Sequence, residues 1–104
     1  MNNITIIKII TEKALAVNLA GKHHVFVDIA GHVNSITVRA YKGGWSEELA
    51  ELGPTYTCHC YYNSDECKPY LDNMLEVVDA YLNNDEANMN KQVVFDTDDM
   101  FGAL

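Results

Sequence analysis

The segments HHVFVDIA (residues 23–30) and NSITVRAY (residues 34–41) decide the fold, because both are short runs of strand-forming residues. The glycine-containing connection GHV separates them, so the pair predicts a β-hairpin. Apolar residues alternate along each run, and Val25, Val27 and Ile29 share one face of the first strand. The pattern therefore predicts a sheet with one face against a core and the other face exposed to water.

A third strand and a C-terminal helix follow the hairpin. SEELAELGP (46–54) is interpreted as a loop with at most one turn of helix, and TYTCHCYY (55–62) as the third strand. From residue 64 the apolar period changes to 3.6, which predicts a helix over about 68–83 with Pro69 in its first turn. Its expected buried stripe consists of Leu71, Met74, Leu75, Val78 and Leu82.

The N-terminal segment NITIIKIITEKALAVNLAGK (3–22) supports two interpretations, because its first half is β-branched and its second half favours helix. We prefer a helix over about 4–20, capped by Asn3 and ended by Gly21. Its apolar face would consist of Ile6, Ile7, Ile10, Ala14 and Val17. A hairpin turning at Glu12-Lys13 is the alternative.

These elements predict an α+β fold in the order α-β-β-β-α. The expected architecture has two layers, with both helices on one face of a three-stranded antiparallel sheet. A chain of 104 residues needs only one core, so we expect a single domain over 1–83. Residues 84–104 are expected to form an acidic C-terminal tail.

The net charge of −8 is unevenly distributed along the chain. Residues 1–64 carry five acidic and five basic residues, whereas residues 65–104 carry ten acidic residues against Lys68 and Lys91. Such a field repels phosphate backbones and attracts basic surfaces, so we expect a protein partner with a basic surface and no direct binding of nucleic acid. The alternative is that the acidity serves only solubility.

Membrane insertion and secretion are not expected. No apolar run approaches the roughly 20 residues that span a bilayer, and Lys8 interrupts the run at the N-terminus. The opening segment lacks a basic leader and a small-residue cleavage site, which predicts a cytoplasmic protein. In that reducing compartment we expect the three cysteines to be thiols.

The cysteines form the one cluster of residue types that bind metals. On a strand, Cys58 and Cys60 face the same way. With Cys67 and one histidine, His59 or alternatively His23 or His24, they would supply the four ligands of a zinc ion. Their spacing lacks the paired C-x2-C pattern, and cysteine is often a buried apolar residue. We therefore favour core packing and expect no cofactor.

Binding is favoured over catalysis, because no spacing places a nucleophile beside an oriented base. On the C-terminal helix, Asp72, Glu76 and Asp79 follow one another at i, i+4 and i+7 and are expected to form a continuous negative edge. Exposed tyrosines are expected beside these acids, a composition typical of protein interfaces. The tail alternates acidic and large apolar residues, while Tyr41 and Trp45 are further candidates at the end of the hairpin. The predicted partner-binding residues are Tyr70, Asp72, Glu76, Asp79, Tyr81, Asp96, Asp98, Asp99 and Phe101.

Residues 22–45, KHHVFVDIAGHVNSITVRAYKGGW, resemble a hairpin of small uncharacterised phage and prophage accessory proteins. In these a helix precedes a V-F-V-x-x-x-G-H-V strand pair that runs into a G-G-W turn. The resemblance covers about a quarter of the chain and implies an initial helix and a phage origin. It is not tied to a defined activity.

The leading hypothesis is a small non-enzymatic phage protein that inhibits a host defence or nucleic-acid-processing complex. Its carboxylates would occupy the basic surface where the target expects phosphates, as in a DNA mimic or an anti-CRISPR protein, within the host cytoplasm. The alternatives are a homodimeric accessory protein whose tyrosine flank self-associates, and a small zinc-stabilised domain.

Overall fold

The computed structural model describes residues 1–93 and confirms the predicted α+β fold. Three antiparallel strands form an open sheet, and the long helices precede and follow it. In the described part of the chain, no helix combines the length and apolar character that a membrane span requires. The elements are α1 (Asn3–Ala20), β1 (His24–Ala30), β2 (Ser35–Tyr41), α2 (Glu47–Leu52), β3 (Tyr56–Tyr61) and α3 (Lys68–Leu82).

The N-terminal segment is a helix, so the preferred interpretation is correct and the hairpin alternative is wrong. Asn2, not Asn3, caps α1, because the Thr5 amide donates a 2.8 Å hydrogen bond to the Asn2 side chain. The Asn3 side chain donates instead to the Tyr62 carbonyl at 3.0 Å and ties the helix to the end of β3. Gly21 ends α1 in the left-handed conformation at φ 84°.

The strands pair in the order β1-β2-β3, with β2 in the centre. Val27 lies opposite Val38, and Val38 lies opposite Cys58. Because side chains alternate along each strand, Val25, Val38 and Cys60 face the helices. The opposite side of the sheet, which we call the open face, carries Phe26, Asp28, Thr37, Arg39, His59 and Tyr61.

The core lies between the sheet and the two long helices, as predicted. α1 packs on β1 and on α3, and α3 also packs on β3. The apolar face of α1 is confirmed, with Ile7 half-buried and the other four predicted residues buried. On α3 the buried face is broader than the predicted stripe and includes Asn73, Val77, Ala80 and Tyr81.

The first part of the expected tail packs against the fold formed by residues 1–83. A short 3-10 turn, Glu86–Asn88, follows α3 and brings Met89 into the core, where the residue is 2% exposed. Asn73 donates to the Lys91 carbonyl at 2.9 Å and accepts from the Tyr56 hydroxyl at 2.5 Å. This segment covers the side of α3 that the sequence interpretation left exposed to water.

Candidate protein-interaction surface

Of the two tyrosines in the predicted α3 patch, Tyr81 is buried. Tyr81 is 1% exposed, and its ring meets the His23 ring edge to face at a centroid distance of 5.3 Å. Burial raises the pKa of Tyr81, and Thr55 opposes that shift, although the hydroxyl has no hydrogen bond of standard geometry within residues 1–93. Tyr70 is half-buried. The expectation of exposed tyrosines on α3 is therefore wrong for Tyr81.

The predicted acidic edge of α3 is largely used by the fold itself. The Lys91 ammonium lies 2.6 Å from the Glu76 carboxylate, and the Lys13 ammonium lies 2.6 Å from the Asp79 carboxylate. Asp72 is exposed and has no ion-pair partner in the described residues. Two of the three carboxylates are thus neutralised by lysines of α1 and of the C-terminal segment, and the continuous negative edge expected from the sequence does not form. The remaining predicted partner-binding residues, Asp96, Asp98, Asp99 and Phe101, lie outside the described residues.

The four candidate zinc ligands do not converge. Cys60 and Cys67 form a disulfide, with their Cα atoms 5.7 Å apart, a normal separation for this bond. The turn after β3 brings them together, which corrects the expectation of free thiols. His59 lies on the open face, away from Cys58 and Cys60. Within residues 1–93 no group of three or more His, Cys, Asp or Glu side chains is arranged to hold a metal ion.

Cys58 is the free cysteine of the described chain, and its surroundings do not favour a reactive thiolate. The side chain is half-buried on the core side of β3. Burial raises the pKa of the Cys58 thiol, while hydrogen bonds from Tyr56 and from the His59 backbone act in the opposite direction. Its neutral form therefore predominates near neutral pH.

The open face has its own network of polar and aromatic contacts. Arg39 pairs with Asp28 at 2.8 Å and lies 5.2 Å from the centroid of the Phe26 ring. The Thr37 hydroxyl and the His59 Nδ1 atom are 2.7 Å apart, but no carboxylate in the described residues orients this imidazole. The pair therefore lacks the third group that activates a hydroxyl nucleophile.

A further candidate for an interaction surface lies between β2 and β3, in residues 45–52, which we call the docking element. Trp45 is 46% exposed and Leu52 is 83% exposed. α2 contains six residues, none of which is buried. Its three glutamates, Glu47, Glu48 and Glu51, are exposed and have no ion-pair partner within residues 1–93. The element thus combines an aromatic anchor, an apolar tip and three free carboxylates.

Local interactions explain why so short a segment is helical. The Ser46 side chain caps α2 by accepting from the Leu49 amide at 3.2 Å, and Glu47 and Glu48 lie in the first turn, where the helix dipole favours negative charge. A helix of this length is marginal without tertiary packing. The docking element therefore depends on the bonds at its two ends for its orientation.

A shallow depression of about 290 Å³ lies beside the docking element at the start of β1. It is lined by Asn18, His24, Val25, Phe26 and Trp45. Apolar side chains thus continue from Trp45 onto the open face, which extends the surface that a partner would contact.

The sequence interpretation included Trp45 as a candidate but placed most of its weight on α3. The missed signal is the segment WSEELAEL, which contains one tryptophan, three acidic residues and no basic residue. Comparison with known protein families, with curated proteins and with solved structures gives no match to this chain. The functional argument therefore rests on the geometry described above.

Proposed function

We propose that this protein is a non-enzymatic binding protein that uses its docking element to occupy a basic surface of a protein partner. The observation that supports this proposal is the exposed combination of Trp45, Leu52 and the unpaired carboxylates of α2. Interfaces are enriched in aromatic anchors, and charged residues around them steer association and set specificity. No cofactor is needed for such a role.

The partner is expected to be a protein and not a nucleic acid. Residues 1–93 contain twelve acidic and seven basic residues, which gives a net charge of −5. Four of the acidic residues pair with Lys or Arg. This field attracts lysine-rich and arginine-rich surfaces and repels phosphates. Carboxylates on a protruding element can take the places of phosphates on a surface that binds nucleic acid.

The concrete form of the proposal is a phage-encoded inhibitor of a host defence or nucleic-acid-processing complex, of the DNA-mimic or anti-CRISPR type. The resemblance of residues 22–45 supports a phage origin, and a phage protein of this kind would act in the host cytoplasm. An inhibitor of this kind competes with nucleic acid for its target, so the captured partner should bind duplex DNA or RNA in the absence of this protein.

The test compares three tagged proteins in affinity capture from a bacterial lysate. The first is the native chain, and the second carries Glu47→Gln, Glu48→Gln and Glu51→Gln. The third is a matched control, Asp65→Asn, Glu66→Gln and Asp72→Asn, which removes the same charge at the opposite end of the sheet from exposed residues. Substitution of Glu76 or Asp79 is avoided, because it would also break ion pairs of the fold.

The proposal predicts a specific protein that the native chain and the control recover and the α2 variant does not. Recovery by the native chain should fall steeply as salt rises, since exposed charges are screened. Equal recovery by all three proteins, or binding that does not change with salt, would contradict the proposal.

Self-association is a second candidate, and one observation favours it. The outer side of α1 exposes three apolar side chains, Ile4 at 71%, Leu15 at 58% and Leu19 at 88%, alongside the exposed Lys8 and Glu12. The predicted route through the tyrosine flank does not apply, because Tyr81 is buried. A dimer that forms through α1 would show a concentration-dependent sedimentation coefficient, which Leu15→Asp together with Leu19→Asp would abolish.

A further inference from the structure

Two consecutive histidines hold the turn that precedes the docking element. The Gly43 amide donates to the His23 Nδ1 atom at 2.9 Å, and the Trp45 amide donates to the His24 Nδ1 atom at 2.7 Å. We call this arrangement the histidine clamp. It joins the start of β1 to the root of the docking element.

Because side chains alternate along a strand, the two histidines contact the turn from opposite faces of the sheet. Successive side chains point to opposite faces, so His23 lies on the helix side, where it is 4% exposed, and His24 lies toward the open face. The two rings therefore hold the turn from both sides of the sheet. Neither bond duplicates the other, because they fix amides two residues apart.

Gly43 and Gly44 allow the backbone to turn so that the Gly43 and Trp45 amides face the two histidines. Gly43 and Gly44 have φ values of 84° and 97°, a region that residues with a Cβ rarely adopt. A Cβ on Gly44 would lie 3.6 Å from the His24 ring, an ordinary van der Waals distance, so the positive φ and not the space favours glycine here. The Gly44 amide donates to the Tyr41 carbonyl at 3.1 Å and closes the turn. The sequence pattern of paired histidines and a Gly-Gly-Trp turn thus forms one structural unit.

The clamp requires both imidazoles to be neutral. A backbone amide can only donate, so each Nδ1 atom must present a lone pair, and the ring proton lies on Nε2. For His23 this proton is donated to the Asn84 side-chain oxygen at 3.0 Å. A protonated imidazole carries N–H groups on both nitrogens and has no acceptor left for Gly43 or Trp45.

The groups that face the two rings do not supply a compensating negative charge. Tyr81 of α3 meets His23 edge to face, Tyr41 of β2 lies opposite His24, and Asn18 of α1 borders the same depression as His24. The Lys42 ammonium, next to Gly43, pairs with Glu86 at 3.3 Å. Within residues 1–93 neither imidazole has a carboxylate as a hydrogen-bond or ion-pair partner.

We propose that the histidine clamp positions Trp45 and α2 for docking, with His24 as the positioning residue, and that protonation of the clamp releases the docking element. The regulatory meaning of this inference rests on the proposed function, but the clamp itself is a property of the isolated protein. The clamp is closed while both imidazoles are neutral, and protonation of a ring removes its acceptor and opens the clamp at that ring.

Trp45 is the one tryptophan of the chain and reports on the clamp without any partner. The experiment records Trp45 fluorescence and the hydrogen exchange of the Trp45 amide from about pH 8 to about pH 5. His24→Ala removes the acceptor. His24→Asn keeps an acceptor oxygen near the position of Nδ1 that cannot be protonated in this range. His32→Ala is the control, because His32 is exposed in the hairpin turn at the opposite end of the sheet.

At about pH 8, His24→Ala should raise the exchange rate of the Trp45 amide roughly tenfold relative to the native chain, the change expected when a hydrogen bond of ordinary strength is lost. The native chain and His32→Ala should show a fluorescence transition on acidification, whereas His24→Asn should keep the Trp45 signal at about pH 8 and show a smaller transition, because only His23 can still be protonated. Protection of the Val38 amide, in the central strand, verifies that each variant is folded. Native-like exchange at Trp45 in His24→Ala, or an unchanged transition in His24→Asn, would overturn the inference.

The capture assay separates this inference from the proposed function. If the clamp behaves as described but the α2 variant still recovers the partner, the docking proposal is wrong and the inference about the clamp is supported. If the α2 variant loses the partner while His24→Ala shows native exchange at Trp45, the docking proposal stands and the clamp fails.

Discussion

Met89→Ala tests whether the folded domain continues beyond α3. Met89 is 2% exposed and packs in the core, although sequence patterning places it in a polar tail. Truncation of a buried methionine to alanine typically costs 2–5 kcal/mol, because the lost transfer free energy adds to the cost of the cavity. We expect the free energy of unfolding to fall by about 3 kcal/mol.

That loss is large for a domain of this size, whose total stability is typically about 5–15 kcal/mol. At 4–8 °C per kcal/mol for a small domain, the melting temperature should fall by roughly 12–24 °C. Urea unfolding followed by circular dichroism measures the free energy, with Asn90→Ala as the control, because the neighbouring Asn90 is exposed. A loss below about 0.5 kcal/mol, the usual range for a surface residue, would refute the assignment of this segment to the domain.

Three further outcomes follow from the buried polar and sulfur groups. Tyr81→Phe should raise the free energy of unfolding by up to about 1 kcal/mol, because it removes a buried hydroxyl without a standard hydrogen bond. A clear decrease of this free energy in urea unfolding would show that the hydroxyl is hydrogen-bonded. Burial raises the pKa values of Cys58 and Tyr56 in the folded state above those in the unfolded state. Both groups are neutral in both states near neutral pH, where their ionisation does not reduce the free energy of unfolding. The free energy of unfolding should therefore fall as the pH rises above about 8.5, where the unfolded thiol ionises, and again above about 10, where the unfolded phenol ionises. Cys58→Ala should remove the first decline. A free energy of unfolding that does not change with pH in this range would contradict this reasoning. Reduction of the disulfide between Cys60 and Cys67, seven residues apart, should cost about 2 kcal/mol by loop-closure entropy, and the unreduced protein should show one free thiol after denaturation instead of three.

The fold was predictable because its signals are local and periodic. The alternation of Val25 and Val27, and the 3.6-residue period through Leu71, Met74 and Val78, each indicate one buried face. The β-branched start of α1 gave a divided signal, and the tertiary contacts of Ile6 and Ile10 favour the helix there. Patterns of this kind identify elements and the faces that they bury.

The extent of α3's buried surface was not predictable from such a pattern. Period 3.6 predicts one buried stripe, but α3 also packs against the segment after residue 83, which the polar residues around Met89 conceal in the sequence. This additional cover places Lys91 against Glu76, while Tyr81 is buried beside His23. The acidic edge expected on α3 is interrupted for a long-range reason, because lysines distant in the sequence pair with Glu76 and Asp79.

The histidine clamp was equally inaccessible to sequence reasoning. The residues HH and GGW lie about twenty positions apart, and only the antiparallel pairing of His24 with Tyr41 brings them to the same end of the sheet. Their joint presence in the resemblance over residues 22–45 was visible, but its physical reason was not. The bonds from Gly43 and Trp45 to the imidazoles now supply that reason.

Site-specific photo-crosslinking tests the central claim most directly. A photoactivatable phenylalanine analogue replaces either Leu52, 83% exposed in the docking element, or Leu19, 88% exposed on α1. Each protein is irradiated in bacterial lysate at low salt, and the adducts are identified by mass spectrometry. If the docking element contacts the partner, position 52 should crosslink a protein with a basic surface and position 19 should not. Crosslinking of that protein from position 19 alone, or of a second copy of this chain alone, would contradict that claim.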